Sequence, residues 1–348
     1  MVTLQKPRAI TANPIIAKAL FIAGIPLRCV KVSLKIDQTG RSIIFLPCAF
    51  RGKVRFCIRL MFLIFQSDLM VRLKTMTTKD FSFAVQLANT LGWNMAFEDF
   101  GFNSGLEPNG CFVAFEDSNP VGICTCISYG RIGWFGNLAV KEECRRKGVG
   151  SALVRHSLDY LKTIGTKIVG LYAYPHLLSF YGKFGFKADQ DLVVLKGRTS
   201  SFSVEGNIQK ARKQDAGKLL SFDAYCFGSY RGKLLKSILE DEENLCYFST
   251  EKNELAGYGM AKVYQKMAEL GPLIWRGDPK LDSISLVKTL LNRLKGMEVY
   301  MYLSTKQKSL MDFLLENGFQ KEFEVSRMFL GSADPQDCVY LAESLERG

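Results

Sequence analysis

A buried strand followed by a basic, glycine-rich turn and an amphipathic helix is the feature that most constrains the fold of this chain. An apolar run ending at residues 138–140 predicts the strand, and the turn at 145–150 reads Arg-Arg-Lys-Gly-Val-Gly. Four apolar residues then recur at helical spacing before Gly165: Leu153, Val154, Leu158 and Leu161. Because glycines let the backbone N–H groups of a helix N-terminus approach a bound anion, the turn predicts a cradle for a pyrophosphate.

The residues after this helix narrow the choice of fold. A second strand is predicted over 167–173, followed by Pro175 and a short helix that ends in Phe-Tyr-Gly-Lys-Phe-Gly-Phe, with Tyr181 as its tyrosine. With these motifs, residues 134–186 resemble the GNAT superfamily of N-acyltransferases. The resemblance implies an α+β (α/β mixed) fold, in which a mixed, mostly antiparallel sheet is flanked by helices.

The resemblance also implies a set of site residues. In the family the glycine-rich loop holds the pyrophosphate of acetyl-CoA, the acyl donor, and the preceding strand pairs with the pantetheine arm. A tyrosine protonates the departing thiolate. The matching donor-binding positions here are Leu138, Ala139, Val140, Arg145, Arg146, Lys147, Gly148, Val149, Gly150 and Ser151, and the matching catalytic acid is Tyr181.

Two parts of the site are left open by the sequence. Many family members carry an asparagine seven residues before the tyrosine, where this chain has Tyr174. The base that deprotonates the acceptor is not identifiable either. The candidates are Glu98, Asp99, Glu107 and His176, and each has an ordinary surface or capping role as its alternative.

An internal repeat is present at an offset of 135 residues. Asp80 aligns with Asp215, Gly122 with Gly257, and the Gly-Asn-Leu at 136–138 with the Gly-Pro-Leu at 271–273. The chain therefore resembles two GNAT-like domains in tandem, predicted over 70–197 and 205–331, with 332–348 as a C-terminal tail.

The second copy is expected to be degenerate. Gly148 and Gly150 fall on Ser283 and Ser285, and Asp278 and Asp282 flank the corresponding loop, where carboxylates would repel a pyrophosphate. Two residues of slippage place Leu314 at the position of Tyr181. This half is predicted to be structural or to face the acceptor. Two unrelated α+β domains are the alternative.

The basic balance of the chain does not indicate a nucleic-acid partner. Residues 1–69 hold eleven Lys and Arg against two acidic residues, so this leader accounts for +9 of the total charge of +12. The ten cysteines show no C-x-x-C spacing and only two histidines exist. The sequence therefore predicts no metal site, and a reducing, cytoplasmic setting.

The leader has no apolar run long enough for a membrane-spanning helix. Two interpretations stay open: a small strand-rich extension, or a reading frame that starts too early, so that 1–69 is not part of the physiological protein. The second is favoured, with Met70 as the start, because the alternating residues after Met70 predict a half-buried strand. A start at Met76 would discard that strand.

The function expected from the resemblance is transfer of an acetyl group from acetyl-CoA to a primary amine of a small molecule or peptide. The alternative is a non-catalytic acyl-CoA-binding regulatory module. The intact loop and Tyr181 favour the enzyme, since a degrading site should lose both together. Neither the acceptor nor the oligomeric state can be read from the sequence.

Overall fold

The computed structural model describes residues 33–36, 42–45, 71–198, 201–276, 281–332 and 338–348. The chain divides into two compact units, Met1–Met70 and Val71–Gly348. In the first unit, β1 (Ser33–Ile36) and β2 (Ser42–Phe45) pair antiparallel. The rest of the predicted leader, including its apolar runs, lies outside the described residues.

The second unit begins with ten elements that we call the first half. They are β3 (Arg72–Thr75), α1 (Phe81–Asn89), α2 (Phe97–Leu106), β4 (Cys111–Glu116), β5 (Asn119–Ser128), β6 (Ile132–Val140), α3 (Val149–Thr163), β7 (Ile168–Ala173), α4 (Leu178–Gly182) and β8 (Lys187–Arg198). No helix in the described ranges is both long and apolar enough to cross a membrane.

The same order of elements then recurs, and we call this series the second half. It comprises β9 (Ile208–Lys210), α5 (Ala216–Phe227), α6 (Gly232–Glu240), β10 (Leu245–Glu251), β11 (Glu254–Tyr264), β12 (Met267–Trp275), α7 (Leu281–Arg293), β13 (Glu298–Ser304), α8 (Lys308–Glu316) and β14 (Gln320–Leu330), with β15 (Val339–Leu341) added at its end. Strands β6 and β12 are offset by 135 residues at both ends. The predicted tandem repeat is confirmed.

Equivalent residues also begin equivalent helices. The Asp80 carboxylate accepts a hydrogen bond from the Thr77 N–H at 2.8 Å, and the Asp215 carboxylate accepts one from the Arg212 N–H at 2.9 Å. Each aspartate so satisfies a backbone donor that the helix itself leaves unpaired. The aligned aspartates therefore fix where α1 and α5 begin.

The two halves share one sheet and exchange their last strands. The thirteen described strands of the second unit follow the order β3-β4-β5-β6-β7-β14-β8-β13-β15-β12-β11-β10-β9. Neighbouring strands in this order pair antiparallel, except for β6 and β7, which pair in parallel. The additional pairing of β12 with β13 is also parallel. Strand β14 of the second half completes the first-half sheet beside β7, and β8 of the first half lies beside β13. The predicted domain boundaries therefore divide the sequence into two halves, but a single sheet runs through both of them.

The exchanged strands carry core residues into the opposite half. Val193 and Leu195 of β8 are fully buried in a cluster with Leu273 and Leu303 of the second half. Met328 of β14 is buried in the first-half cluster that contains Leu153 of α3. Neither half can therefore bury its core without a strand from the other.

This exchange predicts that the second unit unfolds as one body. Leu195→Ala, made in a first-half strand, should destabilise both halves equally by about 2–5 kcal/mol, because it leaves a cavity in a shared core. Hydrogen exchange with mass spectrometry should show the same loss of protection in β5 and β11. Leu153→Ala is the matched change in the first-half core. Loss confined to β10–β13 in the Leu195 variant would show that the halves unfold separately.

Candidate active site

A slot opens in the first half where two parallel strands part. Strand β6 pairs with β7 only over residues 132–134, opposite 168–170. Beyond that point β6 continues to Val140 along β5, with Ala139 opposite Ile123. Among the described residues, no strand pairs with the other edge of β6 over 136–140, so the backbone groups on that edge can bind an extended ligand.

A bulge marks the place where the slot begins. Asn137 has φ +52°, and the pairing of β5 with β6 shifts register between Ile123 and Thr125. The Asn137 side chain donates a hydrogen bond to the Thr125 hydroxyl at 3.1 Å, which holds the bulge in place. Since a bulge bends its strand, this one turns the stretch from Leu138 to Val140 away from the line of β7.

The basic loop lies at the far end of the same strand. Arg145 donates from Nε to the Val140 carbonyl at 3.0 Å, so the loop is fixed to the strand end. Gly148 has φ +92° and starts helix α3, and a Cβ there would meet no atom of the described residues within 4 Å. The side chains of Arg146 and Lys147 are exposed. Open space, cations and the unpaired N–H groups of a helix N-terminus fit a bound phosphate.

The remaining predicted donor-binding residues lie on these same elements. Val149 is buried and anchors the start of α3, while Gly150 and Ser151 follow in its first turn. Ala139 is buried, and Leu138 and Val140 are half-buried. Strand and loop are thus contiguous along one path, as the sequence predicted.

Tyr181 lies on α4 within the first-half core. Its ring packs edge-on against Phe135 of β6 and Phe180, with centroids 6.3 and 5.0 Å away. Only 5% of the residue is exposed, and this burial raises the pKa of the Tyr181 phenol. The hydroxyl therefore keeps its proton at neutral pH, as a proton donor must. No hydrogen bond to it is found in the described part of the chain.

The corresponding slot of the second half is filled by the chain itself. Strands β12 and β13 pair over 267–269 and then part, and β15 inserts between them, with Leu341 opposite both Leu273 and Leu303. Ser283 and Ser285, which replace the two loop glycines, are buried. Residues 277–280, with Asp278, lie outside the described residues, as does the side chain of Asp282.

Comparison with known proteins finds a family match in each half. The Acetyltransferase (GNAT) family matches residues 78–186, and a second family described as Acetyltransferase (GNAT) domain matches residues 219–340. The chain belongs to the GNAT superfamily.

Relatives of this tandem GNAT protein include the uncharacterised N-acetyltransferase YitH of Bacillus subtilis (strain 168). It is 25% identical over 238 residues, which cover 66% of this chain and 82% of YitH. A Pyrococcus horikoshii protein proposed to be an acetyltransferase superposes with a TM-score of 0.68 at 19% identity, covering 80% of this chain and 96% of its own. A tandem GNAT protein from the clavulanic acid biosynthesis pathway gives 0.52 at 10% identity, covering 76% and 100%. These structures share the fold, and the family supports acyl transfer as the general activity.

Tyr174 occupies the position where many GNAT proteins have an asparagine, and here its side chain packs against other rings. The Tyr174 ring stacks on His176, with centroids 5.8 Å apart, and lies 5.4 Å from the ring of Phe323 on β14. Burial raises the pKa of Tyr174, and a hydrogen bond with Trp93 partly offsets this. Tyr174 thus links the loop after α1 to the exchanged strand.

Three of the four candidate bases are engaged elsewhere. The Asp99 carboxylate accepts from the Ala96 N–H at 2.7 Å and caps α2, while Glu98 is exposed. His176 is exposed and stacked on Tyr174. Glu107 accepts from the Tyr160 hydroxyl at 2.6 Å, the Lys233 ammonium at 2.7 Å and the Ser128 N–H at 3.0 Å.

The three donors decide the charge state of Glu107. Its burial would raise the pKa, but the hydrogen bonds from Lys233, Tyr160 and Ser128 outweigh it, and the pKa of Glu107 lies below its usual value. A carboxylate held ionised by three donors ties α2, α3 and α6 together and is a poor proton acceptor.

The segment 342–348 lies against the slot, and the sequence did not predict this. A Cβ on Gly136 would come within 2.6 Å of the Cα of Glu346, and a Cβ on the equivalent Gly271 would strike the Ala342 carbonyl. The repeated glycine in Gly-Asn-Leu and Gly-Pro-Leu was the available signal, because a glycine within a strand often marks close approach of another backbone.

This segment brings charge into the interior. The Glu343 carboxylate pairs with Arg347 at 3.0 Å and with Lys262 of β11, and Lys262 also pairs with Glu269 of β12 at 2.8 Å. Glu346 pairs with Arg347 as well. Burial would raise the pKa of Glu343, but Arg347 and Lys262 hold it at about 2. The two cations therefore face three carboxylates.

The contacts of Glu107 predict a structural role for it. Glu107→Gln should lower the free energy of unfolding by about 1–3 kcal/mol at neutral pH, because charged hydrogen bonds are lost. Since the pKa of Glu107 is depressed in the folded state, this contribution is present above its unfolded pKa and is lost as pH falls through the folded value. Urea unfolding from pH 7 downwards should show the two proteins converging, whereas the exposed Glu98→Gln should match the parent throughout. A constant difference at every pH would contradict this role.

Proposed function

We propose that this GNAT protein is an acetyl-CoA-dependent N-acetyltransferase that moves an acetyl group directly to a primary amine of a small molecule or peptide. The observation that carries the proposal is the pairing of an open strand slot with a glycine-rich basic loop in one half. In the other half β15 fills the slot. Acetyl-CoA would supply the activated acetyl group as a thioester.

The proposed donor-binding residues form two groups, which would bind different parts of acetyl-CoA. The backbone of Leu138, Ala139 and Val140 would bind the pantetheine arm, because no strand of the described residues pairs with its second edge over that range. The residues from Arg145 to Ser151 would hold the diphosphate at the start of α3, with Arg146 and Lys147 as exposed cations and Gly148 as the open backbone position.

Tyr181 is the proposed acid for the leaving thiolate. Its raised pKa keeps the proton in place until the sulfur becomes basic, and its ring contacts Phe135 on the slot strand. Core packing against Phe180 and Phe186 is the competing role.

The second candidate is a non-catalytic acyl-CoA-binding module. One observation favours it: this chain already uses its second slot for a structural strand. Release of free thiol from acetyl-CoA in a screen of amines and peptides separates the two, since a binding module releases none.

A charge placed in the proposed diphosphate site should weaken donor binding. Gly148→Asp puts a carboxylate into the open cradle, and calorimetry should show acetyl-CoA affinity falling at least about tenfold, or about 1.4 kcal/mol. Gly165→Asp is the matched control, because Gly165 also has positive φ and open space but lies at the other end of α3. Equal affinities for both variants would refute the donor site.

Removing the Tyr181 hydroxyl should separate its two roles. Tyr181→Phe keeps the ring packing, so acetyl-CoA affinity should stay unchanged while transfer slows roughly a hundredfold to ten-thousandfold. Tyr160→Phe is the control tyrosine, since its hydroxyl bonds to Glu107 outside the slot. Turnover of Tyr181→Phe at the parent rate would make Tyr181 a packing residue and direct the search for the acid to water or Tyr174.

A further inference from the structure

Direct transfer needs a group that accepts the proton of the acceptor amine, and Glu346 lies beside the slot in the described part of the chain. Glu346 packs its backbone against Gly136 of β6. Gly136 immediately precedes the Asn137 bulge, and the proposed pantetheine-binding residues begin at Leu138. Glu346 thus lies beside the point where the acetyl end of a bound donor would reach the slot.

Several contacts with the first half hold Glu346 there. The neighbouring Arg347 accepts at its carbonyl from the Tyr129 hydroxyl at 2.9 Å, and its guanidinium lies 5.2 Å from the Phe102 ring. Arg347 also donates to the Asn103 side-chain oxygen at 3.4 Å. These contacts join the segment to α2 and to the turn after β5, so the position of Glu346 is set by the half that contains the open slot.

Accessibility separates Glu346 from the other glutamate of its segment. The Glu343 side chain is 0% exposed, and both of its partners are internal cations, whereas the Glu346 side chain keeps 19% of its surface exposed. A group that exchanges protons with a substrate must be reachable, and Glu346 meets that requirement.

The charge cluster around Glu346 contains one more carboxylate than cations. The titratable and charged groups that face it are Arg347 and Glu343 of its own segment, Lys262 of β11, Glu269 of β12 and Tyr302 of β13. Glu269 accepts from Lys262 and from the Tyr302 hydroxyl at 2.6 Å, and its pKa is lowered despite burial. Arg347 pairs with both Glu346 and Glu343, and Lys262 pairs with both Glu269 and Glu343, so two cations are shared among three carboxylates.

This balance acts on the proton affinity of Glu346. Burial, together with the charges of Glu269 and Glu343, raises the pKa of Glu346 against the opposing effect of Arg347 and Lys262. A carboxylate whose pKa is moved towards the working pH is a more effective base than one at its ordinary value.

We propose that Glu346 is the general base of the acetyl transfer, an inference that rests on the proposed function. The Glu346 carboxylate takes one proton from the nitrogen of the acceptor ammonium. The freed lone pair forms the new C–N bond with the acetyl carbon, the C–S bond breaks, and the sulfur leaves with the bonding electrons and takes the proton of Tyr181. The second proton that the nitrogen loses on becoming an amide restores the Tyr181 phenol, and the proton held by Glu346 passes to solvent. The net products are an amide, a free thiol and one proton.

Glu346→Gln tests the proposal, because it keeps the shape of the side chain and removes its basicity. Turnover should fall roughly a hundredfold to ten-thousandfold, with acetyl-CoA affinity unchanged. The low-pH limb of the kcat/KM profile, present in the parent because a protonated Glu346 cannot accept a proton, should vanish. Glu346→Asp should restore part of the rate and the limb.

Glu269→Gln is a control that distinguishes a general base from a purely structural role of the charge cluster, since a structural role predicts no shift of the pH profile. Removing a negative neighbour lowers the pKa of Glu346, so the low-pH limb should persist but move to lower pH. A readout without turnover is the NMR titration of protein labelled at its glutamate carboxyl carbons. One carboxyl should titrate above the usual range in the parent and be missing from Glu346→Gln.

The outcomes distinguish this inference from the proposed function. A parent that releases thiol, together with a Glu346→Gln variant of equal rate and the same pH profile, overturns the role of Glu346 and leaves the acetyltransferase proposal standing. A parent that binds acetyl-CoA but releases no thiol with any amine overturns both. The absence of the high-titrating carboxyl from the parent spectrum also refutes the assignment.

Discussion

The antiparallel pairing of β8 with β14 is the interaction on which the rest of the second unit depends. These strands come from different halves, and each also pairs with a strand of the other half. Strand β8 of the first half pairs with β13, and β14 of the second half pairs with β7. Because a strand left without partners exposes a row of backbone donors and acceptors, neither half is complete alone. The slot inherits this dependence, since β7, one of its walls, is supported on its other side by β14.

The buried charge cluster is a second constraint, and it determines the position of the 342–348 segment more than the stability of the fold. Taking ions out of water is expensive, and a buried salt bridge does not by itself stabilise a fold. Lys262, Glu269, Glu343 and Arg347 can all be paired at once only when the 342–348 segment lies in one register between the halves. The cluster therefore specifies where the segment docks, and the hydrophobic contacts of β15 supply the stability.

Much of the local structure could be predicted from the sequence. The strand, the loop and α3 follow from apolar spacing and glycine placement, and the repeat follows from aligned residues such as Asp80 and Asp215, whose capping role is local. The exchange of β8 and β14 could not be predicted, because apolar residues such as Val193 and Leu195 show that a strand is buried but not which sheet buries it. The 342–348 segment was missed for a different reason. Its glutamates and arginine have the composition of a solvated tail, and only the complementary charges on β11 and β12 make its burial possible.

The same segment explains why two similar halves need not have similar sites. Apart from β15, the strand order is symmetric about the β8–β14 pair. The 342–348 segment breaks this symmetry, because Glu346 lies against Gly136 in one half and Ala342 against Gly271 in the other, and β15 enters the slot of the second half. A polypeptide segment has a direction and no two-fold symmetry of its own. One segment that lies across two symmetry-related halves therefore cannot make the same contacts with both. Two identical repeats joined to this segment would already present one accessible crevice and one closed crevice. Substitutions such as those at Ser283 and Ser285 then fall in a half whose crevice is closed, where conserving a phosphate cradle brings no binding advantage.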